Sequence, residues 1–223
     1  MSFLKVENVS LSYDRRNLVI SNFSLEAHSG DCILLEGRNG KGKTTILKAI
    51  SGLLEPVSGK ITIDGFDVFS VSSTKRKSLV ALAQQSPHYN TPIKVIEYLE
   101  MALPRQFSLL GPKRLRKYID LLEVEDLLLK PLNTLSEGQK KLALICRTFV
   151  QGSSILLLDE PDAFLDTYNQ KLVRNGIKEV LSEGKIIIFV SHNESFYSNL
   201  YNRKVSIISS SVFEIEQVAS VSL

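Results

Sequence analysis

The sequence predicts an α/β fold in which a mostly parallel sheet carries helices on both faces. Short apolar runs rich in Ile, Leu and Val alternate along the chain with stretches of helical periodicity, and this alternation is typical of parallel sheets joined by crossover helices. The chain has 223 residues, of which 43% are apolar, enough to bury one substantial core. We therefore expect a single domain over residues 1–223, with a small lobe inserted into it.

The predicted strands follow from two hydrophobic patterns. Residues 1–10 alternate apolar and polar side chains, as a half-buried strand does. The other runs are short and apolar, as in strands that are covered on both faces, and they lie at residues 32–37, 60–65, 78–84, 154–161, 185–192, 205–210 and 211–216.

Helical periodicity is found at residues 44–54, 141–150 and 168–184, and a glycine cap is predicted at Gly184. About residues 87–130 the alternation breaks, because two helical patterns, 93–103 and 113–129, have no strand between them. We interpret this interval as a helical lobe inserted between core segments 1–86 and 131–223. Its basic run, residues 113–117, predicts a solvated helix face or, alternatively, contact with acidic lipid headgroups.

Composition argues against several classes of protein. No apolar run reaches the roughly 20 residues that a membrane-spanning helix needs, and the N-terminus lacks the pattern of a secretion signal. The net charge of +3 is too small to indicate nucleic-acid binding, so no nucleic-acid partner is expected. Cys32 and Cys146 lie in apolar surroundings far from any histidine cluster, which predicts buried free thiols.

A glycine-rich loop, GRNGKGKT at residues 37–44, follows an apolar run and opens a helical pattern. Glycines permit positive φ and close approach, so successive backbone N–H groups can surround an anion at the helix N-terminus. Lys43 is expected to reach the β- and γ-phosphates of a nucleotide, and Thr44 to hold Mg²⁺. The loop therefore predicts a P-loop NTPase core and a triphosphate site, in preference to a purely structural turn.

Polar groups end two of the apolar runs. Asp159 and Glu160 are expected at the carboxyl edge of the sheet, where open α/β folds bind ligands. Asp159 suits the Mg²⁺ shell, while Glu160 can accept a proton from an attacking water and His192 can contact the γ-phosphate. The alternatives are solvated carboxylates and a structural histidine, and the glycine loop favours the functional interpretation.

A second phosphate-binding pattern, LSEGQK at residues 135–140, raises the question of why one chain would carry two. Ser136 offers a hydroxyl, Gly138 an unshielded amide, and the helix that follows offers its positive end. An ordinary helix N-cap would tolerate the same residues. On the residues alone, both interpretations stay open.

These motifs, in this order, resemble those of ATP-binding cassette (ABC) ATPases over nearly the whole chain. The resemblance implies the ABC ATPase fold, with N-terminal antiparallel strands beside the P-loop core, and a D-loop at residues 164–166. It implies that adenine stacks on Tyr13 and that Gln84 contacts the metal; Gln84 is preferred to Gln85 because it ends the apolar run. The implied nucleotide-binding residues are Tyr13, Gly37, Arg38, Asn39, Gly40, Lys41, Gly42, Lys43, Thr44, Thr45, Ser136, Gly138 and Gln139. The implied magnesium ligands are Thr44, Gln84 and Asp159, and the implied catalytic residues are Lys43, Glu160 and His192.

The resemblance also answers the question raised by the second pattern. In the family, two subunits pair head to tail, and the signature segment of one subunit, here residues 136–139, closes over the ATP held by the other. It implies ATP and Mg²⁺ as cofactors, a second ABC ATPase subunit as partner, expected as a homodimer, and a separate transmembrane permease. The chain would then be cytoplasmic and peripheral at the inner face of the cell membrane.

Three positions depart from the family pattern. Glu137 stands where glycine is common, and we expect it to face outward and pair with Lys141, four residues on. Asp162 and Ala163 precede the D-loop in place of the more usual Thr-Ser.

The predicted function is a Mg-dependent ATPase that powers an ABC membrane transporter through ATP-driven dimer closure. The alternative is a non-transport ABC ATPase, such as an iron–sulfur assembly or division-associated ATPase. A non-catalytic binding module is disfavoured because Lys43, Asp159, Glu160 and His192 are all present.

Overall fold

The computed structural model describes residues 2–84, 92–103 and 110–218. Its strands are β1 (Phe3–Leu11), β2 (Ile20–His28), β3 (Cys32–Glu36), β4 (Ser58–Ile63), β5 (Phe66–Asp67), β6 (Val80–Ala83), β7 (Ile155–Asp159), β8 (Ile186–Val190), β9 (Arg203–Ile207) and β10 (Phe213–Gln217). Within these residues, one sheet has the order β2-β1-β4-β5 with antiparallel pairs, and the other has the order β10-β9-β3-β8-β7-β6. In the second sheet the pairs from β9 to β6 are parallel, and β10 alone pairs antiparallel. The predicted mostly parallel sheet and N-terminal antiparallel strands are confirmed.

The described helices are α1 (Lys43–Ile50), α2 (Ser73–Leu79), α3 (Val95–Glu100), α4 (Leu110–Leu121), α5 (Glu137–Gln151), α6 (Thr167–Ser182) and α7 (Glu194–Tyr197), with short 3₁₀ turns at Glu125–Leu127 and Leu132–Thr134. Three of the described helices, α3, α4 and α5, follow one another between β6 and β7. Within residues 2–84, 92–103 and 110–218, no helix is long and apolar enough to cross a bilayer.

Several predicted boundaries move for local reasons. The strand predicted at 78–84 begins only at Val80, because helix α2 extends to Leu79. Ser72 caps the start of this helix, where its side chain accepts a hydrogen bond from the Lys75 amide. The helix predicted over 113–129 ends at Leu121, and Glu123 then takes a positive φ of 52°. Strand β2, which had no counterpart among the predicted runs, alternates buried and exposed residues and pairs along β1.

The parallel sheet separates two hydrophobic clusters because successive strand residues face opposite sides. On one side, Leu156 of β7 packs with α5 and α6, and Tyr118 and Val95 of the predicted lobe belong to this same cluster. On the other side, Leu157 packs with α1 and with the antiparallel sheet. The described part of the lobe therefore shares its core with the sheet. Cys32 and Cys146 are buried free thiols, and burial raises the pKa of Cys146 to about 12.

The basic run of α4 is largely used inside the chain. Arg114 and Lys117 donate to opposite oxygens of Glu183 at 2.7 and 2.8 Å, and the Tyr118 hydroxyl donates to the same carboxylate at 2.9 Å. Arg116 pairs with Asp120 at 2.7 Å. The contacts with Glu183 join α4 to the end of α6 and engage two cations of the basic run, Arg114 and Lys117.

Candidate functional site

The predicted site residues meet at one edge of the parallel sheet. The glycine loop, residues 37–44, follows β3; Asp159 ends β7; and His192 lies two residues after β8. Since β3, β8 and β7 are adjacent parallel strands, their carboxyl ends open onto a common edge, which is where ligands of open α/β folds bind.

The glycine loop leads directly into α1. Gly42 is the N-cap residue with φ of 96°, a left-handed conformation that favours glycine. Lys43 is the first residue of the helix, and its Nζ donates to the backbone carbonyls of Gly37 at 2.6 Å and Arg38 at 3.3 Å. Burial lowers the pKa of Lys43. The ammonium is thus held over the loop, at the positive end of a helix, where an anion binds favourably.

Thr44 and Asp159 form the contact between the glycine loop and β7. Thr44 Oγ1 donates to Asp159 Oδ2 at 2.9 Å, and burial raises the pKa of the Asp159 carboxyl. Their hard oxygen atoms fit Mg²⁺, which usually binds through one or two carboxylates together with phosphates and waters. Among the described residues there is no group of three or more His, Cys, Asp or Glu that could hold a metal.

Gln84, the preferred third magnesium ligand, lies exposed directly after β6, the strand next to β7. The alternative, Gln85, lies outside the described residues. The structure thus brings Thr44 and Asp159 into contact and places Gln84 at the same edge of the sheet.

Glu160 and His192 face each other across the ends of β7 and β8. Glu160 Oε1 lies 3.4 Å from His192 Nε2. Glu160 has a positive φ of 49°, and its amide donates to the Val190 carbonyl at 2.9 Å. A non-glycine residue in this region carries backbone strain, which is concentrated at functional sites in proteins. The turn directs the two side chains toward one another at the sheet edge.

Tyr13 lies beside α1, next to Thr45 and Lys48. Tyr13 is 60% exposed, as a ring that offers a stacking face would be. Its hydroxyl is 3.3 Å from Thr45 Oγ1, and Lys48 Nζ lies 5.5 Å from its ring centroid. The ring borders a surface cavity of about 340 Å³ that Leu54 and Val57 also line.

The signature segment, residues 136–139, begins α5. Ser136 is the N-cap: its Oγ accepts from the Gln139 amide at 3.3 Å, and Gln139 Oε1 accepts from the Ser136 amide at 3.1 Å. This is a capping box, so the helix-cap interpretation describes the isolated chain. Ser136 is also exposed, and a β-carbon at Gly138 would lie 2.8 Å from the Phe164 carbonyl of the D-loop. The segment therefore needs glycine for close packing against the D-loop.

The predicted pairing of Glu137 with Lys141 is wrong. Glu137 does face outward, but it accepts from Lys140 Nζ at 2.8 Å. Lys141 points inward and donates to the backbone carbonyl of Asp159 at 2.8 Å, and burial lowers the pKa of Lys141 to about 8. The helical period explains the difference, because Lys141 lies in line with Ile145 and Thr148 on the buried face of α5. A cation in an apolar stripe was the signal that the sequence analysis missed.

Asp162 and Ser191 are further residues of the site that the motifs did not single out as partners. Ser191 Oγ donates to Asp162 Oδ2 at 3.0 Å and accepts from the Asn193 amide at 2.9 Å. These bonds hold the segment around His192 against the residues that follow Glu160. Burial raises the pKa of the Asp162 carboxyl.

The chain is similar to known proteins in sequence and in fold. A family model described as ABC transporter matches residues 20–163. The energy-coupling factor transporter ATP-binding protein of Fusobacterium nucleatum is 33% identical over 199 residues, which are 86% of this chain and 74% of that protein. A putative ABC transporter ATP-binding protein of Bacillus cereus is 31% identical over 193 residues, 85% of this chain and 34% of that protein. This chain thus spans about a third of the length of the Bacillus cereus relative.

A solved structure is similar over the full fold. A dimeric bacterial ABC transporter cassette superimposes with a TM-score of 0.84 at 22% identity, and the match covers 98% of this chain and 100% of that chain. At this identity the likeness concerns the fold.

Proposed function

The chain belongs to the ABC transporter family of ATP-binding proteins, and from that membership we propose that it binds and hydrolyses ATP to power a membrane transporter. The family and the fold are those that the sequence predicts. The observation that carries the proposal is the convergence of a phosphate-binding loop, a Thr44–Asp159 contact of 2.9 Å and a Glu160–His192 pair at 3.4 Å on one sheet edge.

The glycine loop binds the triphosphate of ATP. Its backbone amides and the N-terminus of α1 attract the phosphates, and Lys43 exchanges its bonds to the Gly37 and Arg38 carbonyls for bonds to phosphate oxygens. Tyr13 stacks on the adenine ring, with its hydroxyl placed beside Thr45. Thr44, Asp159 and Gln84 would hold Mg²⁺, which when bound neutralises phosphate charge.

Glu160 is the general base of the proposed hydrolysis. Its carboxylate accepts a proton from the attacking water, a role that requires a positioned acceptor at the γ-phosphate. His192, whose Nε2 lies 3.4 Å from this carboxylate, orients it beside the γ-phosphate. Both side chains follow the ends of adjacent strands, so the sheet sets their separation.

The proposed partners follow from the surfaces at the site and from the relatives. Ser136 and Gly138 present a hydroxyl and the positive end of α5 to a phosphate held by a second subunit, and a similar cassette is described as dimeric. The Fusobacterium nucleatum relative is named for a transporter. We therefore place a homodimer of this chain, carrying ATP and Mg²⁺, on a separate transmembrane permease at the cytoplasmic face of the membrane.

Substitution of Glu160 tests the proposal. Glu160→Gln retains ATP binding but loses about 10²- to 10⁴-fold in turnover, the range for a positioned acid–base group. Single-turnover hydrolysis at saturating ATP and Mg²⁺ measures the loss. Glu216→Gln on the exposed strand β10 removes the same charge away from the site and serves as the control. If the hydrolysis rate of Glu160→Gln falls by less than threefold, another group accepts the proton from the attacking water.

A further inference from the structure

A buried lysine lies behind the candidate site, in the first turns of α5. Lys141 is 2% exposed, and its Nζ donates at 2.8 Å to the backbone carbonyl of Asp159, the last residue of β7. Burying an ammonium is costly unless charges and hydrogen bonds compensate it. The groups that offset the cost of burying the Lys141 ammonium therefore indicate the role of this residue.

The compensating charges are the carboxylates around the site. Asp159, Glu160 and Asp162 all act on Lys141 as attractive charges. Asp162 is held through Oδ2 by Ser191, the residue before His192. Its Oδ1 atom is buried and accepts no hydrogen bond from the residues that the structure describes. Lys141 thus supplies a positive charge to a group of carboxylates that includes the proposed base.

Lys141 also belongs to the helix turns that present the signature segment. Ser136 caps α5 five residues earlier, and Gly138 packs so closely on the Phe164 carbonyl that a β-carbon would lie 2.8 Å from it. One face of these turns therefore touches the D-loop, while Lys141 ties them to the end of β7. A displacement of the start of α5 must act on the Asp159 carbonyl through this bond.

We propose that Lys141 is a positioning residue for ATP hydrolysis, which joins the signature end of α5 to the end of β7 and places its positive charge behind the carboxylates there. The inference rests on the proposed function of the site. Lys141 contacts the backbone of β7 and lies outside the glycine loop. We therefore expect its substitution to lower the rate of ATP hydrolysis and to leave the affinity for ATP unchanged. If Lys141 only stabilised the core, its substitution would not lower turnover while leaving ATP affinity unchanged.

The test uses the full chain with Lys141→Met, Asp162→Asn and both together. Lys141→Met lowers kcat by about 10- to 100-fold, the scale for a misplaced catalytic group, while ATP affinity from equilibrium titration stays within twofold. Asp162→Asn, added to Lys141→Met, raises kcat at least threefold, because one uncompensated carboxylate is removed. Alone it does not raise kcat. Lys178→Met, on an exposed position of α6, is the charge-matched control and keeps wild-type kcat.

Three results would overturn the inference. The first is a kcat within threefold of wild type for Lys141→Met. The second is a parallel fall of kcat and of the folded fraction, measured by thermal unfolding at the assay temperature. The third is that Asp162→Asn changes kcat by the same factor in the wild-type chain and in Lys141→Met. This result would show no energetic coupling between the two residues.

Failure of the proposed function gives a different result. A wild-type chain that binds ATP without turnover contradicts the ATPase proposal. The link between Lys141 and the signature segment is then tested separately, by ATP-driven dimerisation in the Glu160→Gln background. Loss of the dimer on adding Lys141→Met supports the positioning role, and equal dimerisation overturns it.

Discussion

Lys43 is the residue on which the proposed nucleotide site depends most directly. Its ammonium is held by two carbonyls of the glycine loop, at 2.6 and 3.3 Å, and those bonds place a cation where the phosphates would lie. Backbone amides supply the rest of the cradle, and they carry only partial charge. The side chain therefore provides a full positive charge that is held against the loop.

Lys43→Ala is expected to weaken ATP binding by roughly 10- to 100-fold, the equivalent of a lost charged hydrogen bond. Equilibrium titration with labelled ATP in the presence of Mg²⁺ measures the change. Lys60→Ala, an exposed lysine on β4, removes the same charge outside the site and should bind like wild type. Wild-type affinity in Lys43→Ala would remove the glycine loop from the proposed site.

At the scale of elements, Glu183 joins the predicted helical lobe to the core. This residue follows α6 and receives hydrogen bonds from Arg114, Lys117 and Tyr118 of α4. Burial by itself raises the pKa of Glu183, but the hydrogen bonds from Lys117, Arg114 and Tyr118 outweigh it, and the pKa is lowered overall. The ionised carboxylate is therefore the form that the fold favours.

Glu183→Gln should reduce the free energy of unfolding at pH 7 by about 1–3 kcal/mol, because partly buried cations lose their charged acceptor. A carboxyl whose pKa is lowered by folding contributes stability above its unfolded pKa, and that contribution is lost as the pH falls through the folded pKa. The difference in the free energy of unfolding between wild type and variant is therefore largest at pH 7. It decreases below pH 4.5, the ordinary pKa of a glutamate carboxyl.

Urea unfolding at pH 7, 5 and 4 measures this difference. Glu179→Gln, one turn earlier in α6 and paired with Lys117 at a more exposed position, is the matched control. An exposed ion pair contributes less than about 1 kcal/mol. Equal losses for the two variants, or a Glu183→Gln difference that grows toward pH 4, would contradict the role given to Glu183.

At the scale of the whole molecule, the proposed homodimer accounts for the two phosphate-binding patterns of the chain. Ser136 is exposed and caps α5, so its hydroxyl and the helix end face outward. If ATP is sealed between Lys43 of one subunit and Ser136 of the other, the interface is stable only while the γ-phosphate bridges it. Closure would then draw two helical lobes together and move a docked permease.

The Glu160→Gln chain is therefore expected to be monomeric without nucleotide and dimeric with ATP and Mg²⁺. Adding Ser136→Arg should block dimerisation by bulk, while the same chain still binds ATP through its glycine loop. Sedimentation velocity on both variants, with and without ATP, measures the states. Ser73→Arg, an exposed serine at the start of α2, controls for added charge and bulk. If Ser136→Arg dimerises as well as its parent, the signature segment is a helix cap and nothing more.

The sequence by itself determined the features that depend on local spacing. The alternation of apolar runs and helical patterns predicted the sheet, since strand and helix periods are properties of neighbouring residues. The glycine loop, the Asp159–Glu160 pair and His192 were recognisable because each follows an apolar run. Adjacent parallel strands then bring these groups to one edge without further information.

Only the tertiary structure decided which charges meet. Glu137 pairs with Lys140, and Lys141 turns inward to Asp159, because the packing of α5 against β7 determines which lysine is buried. Glu183 gathers Arg114, Lys117 and Tyr118 from some 65 residues away in sequence. Such contacts depend on how elements dock, and side-chain partners across a packed interface are not encoded in the spacing of either element alone.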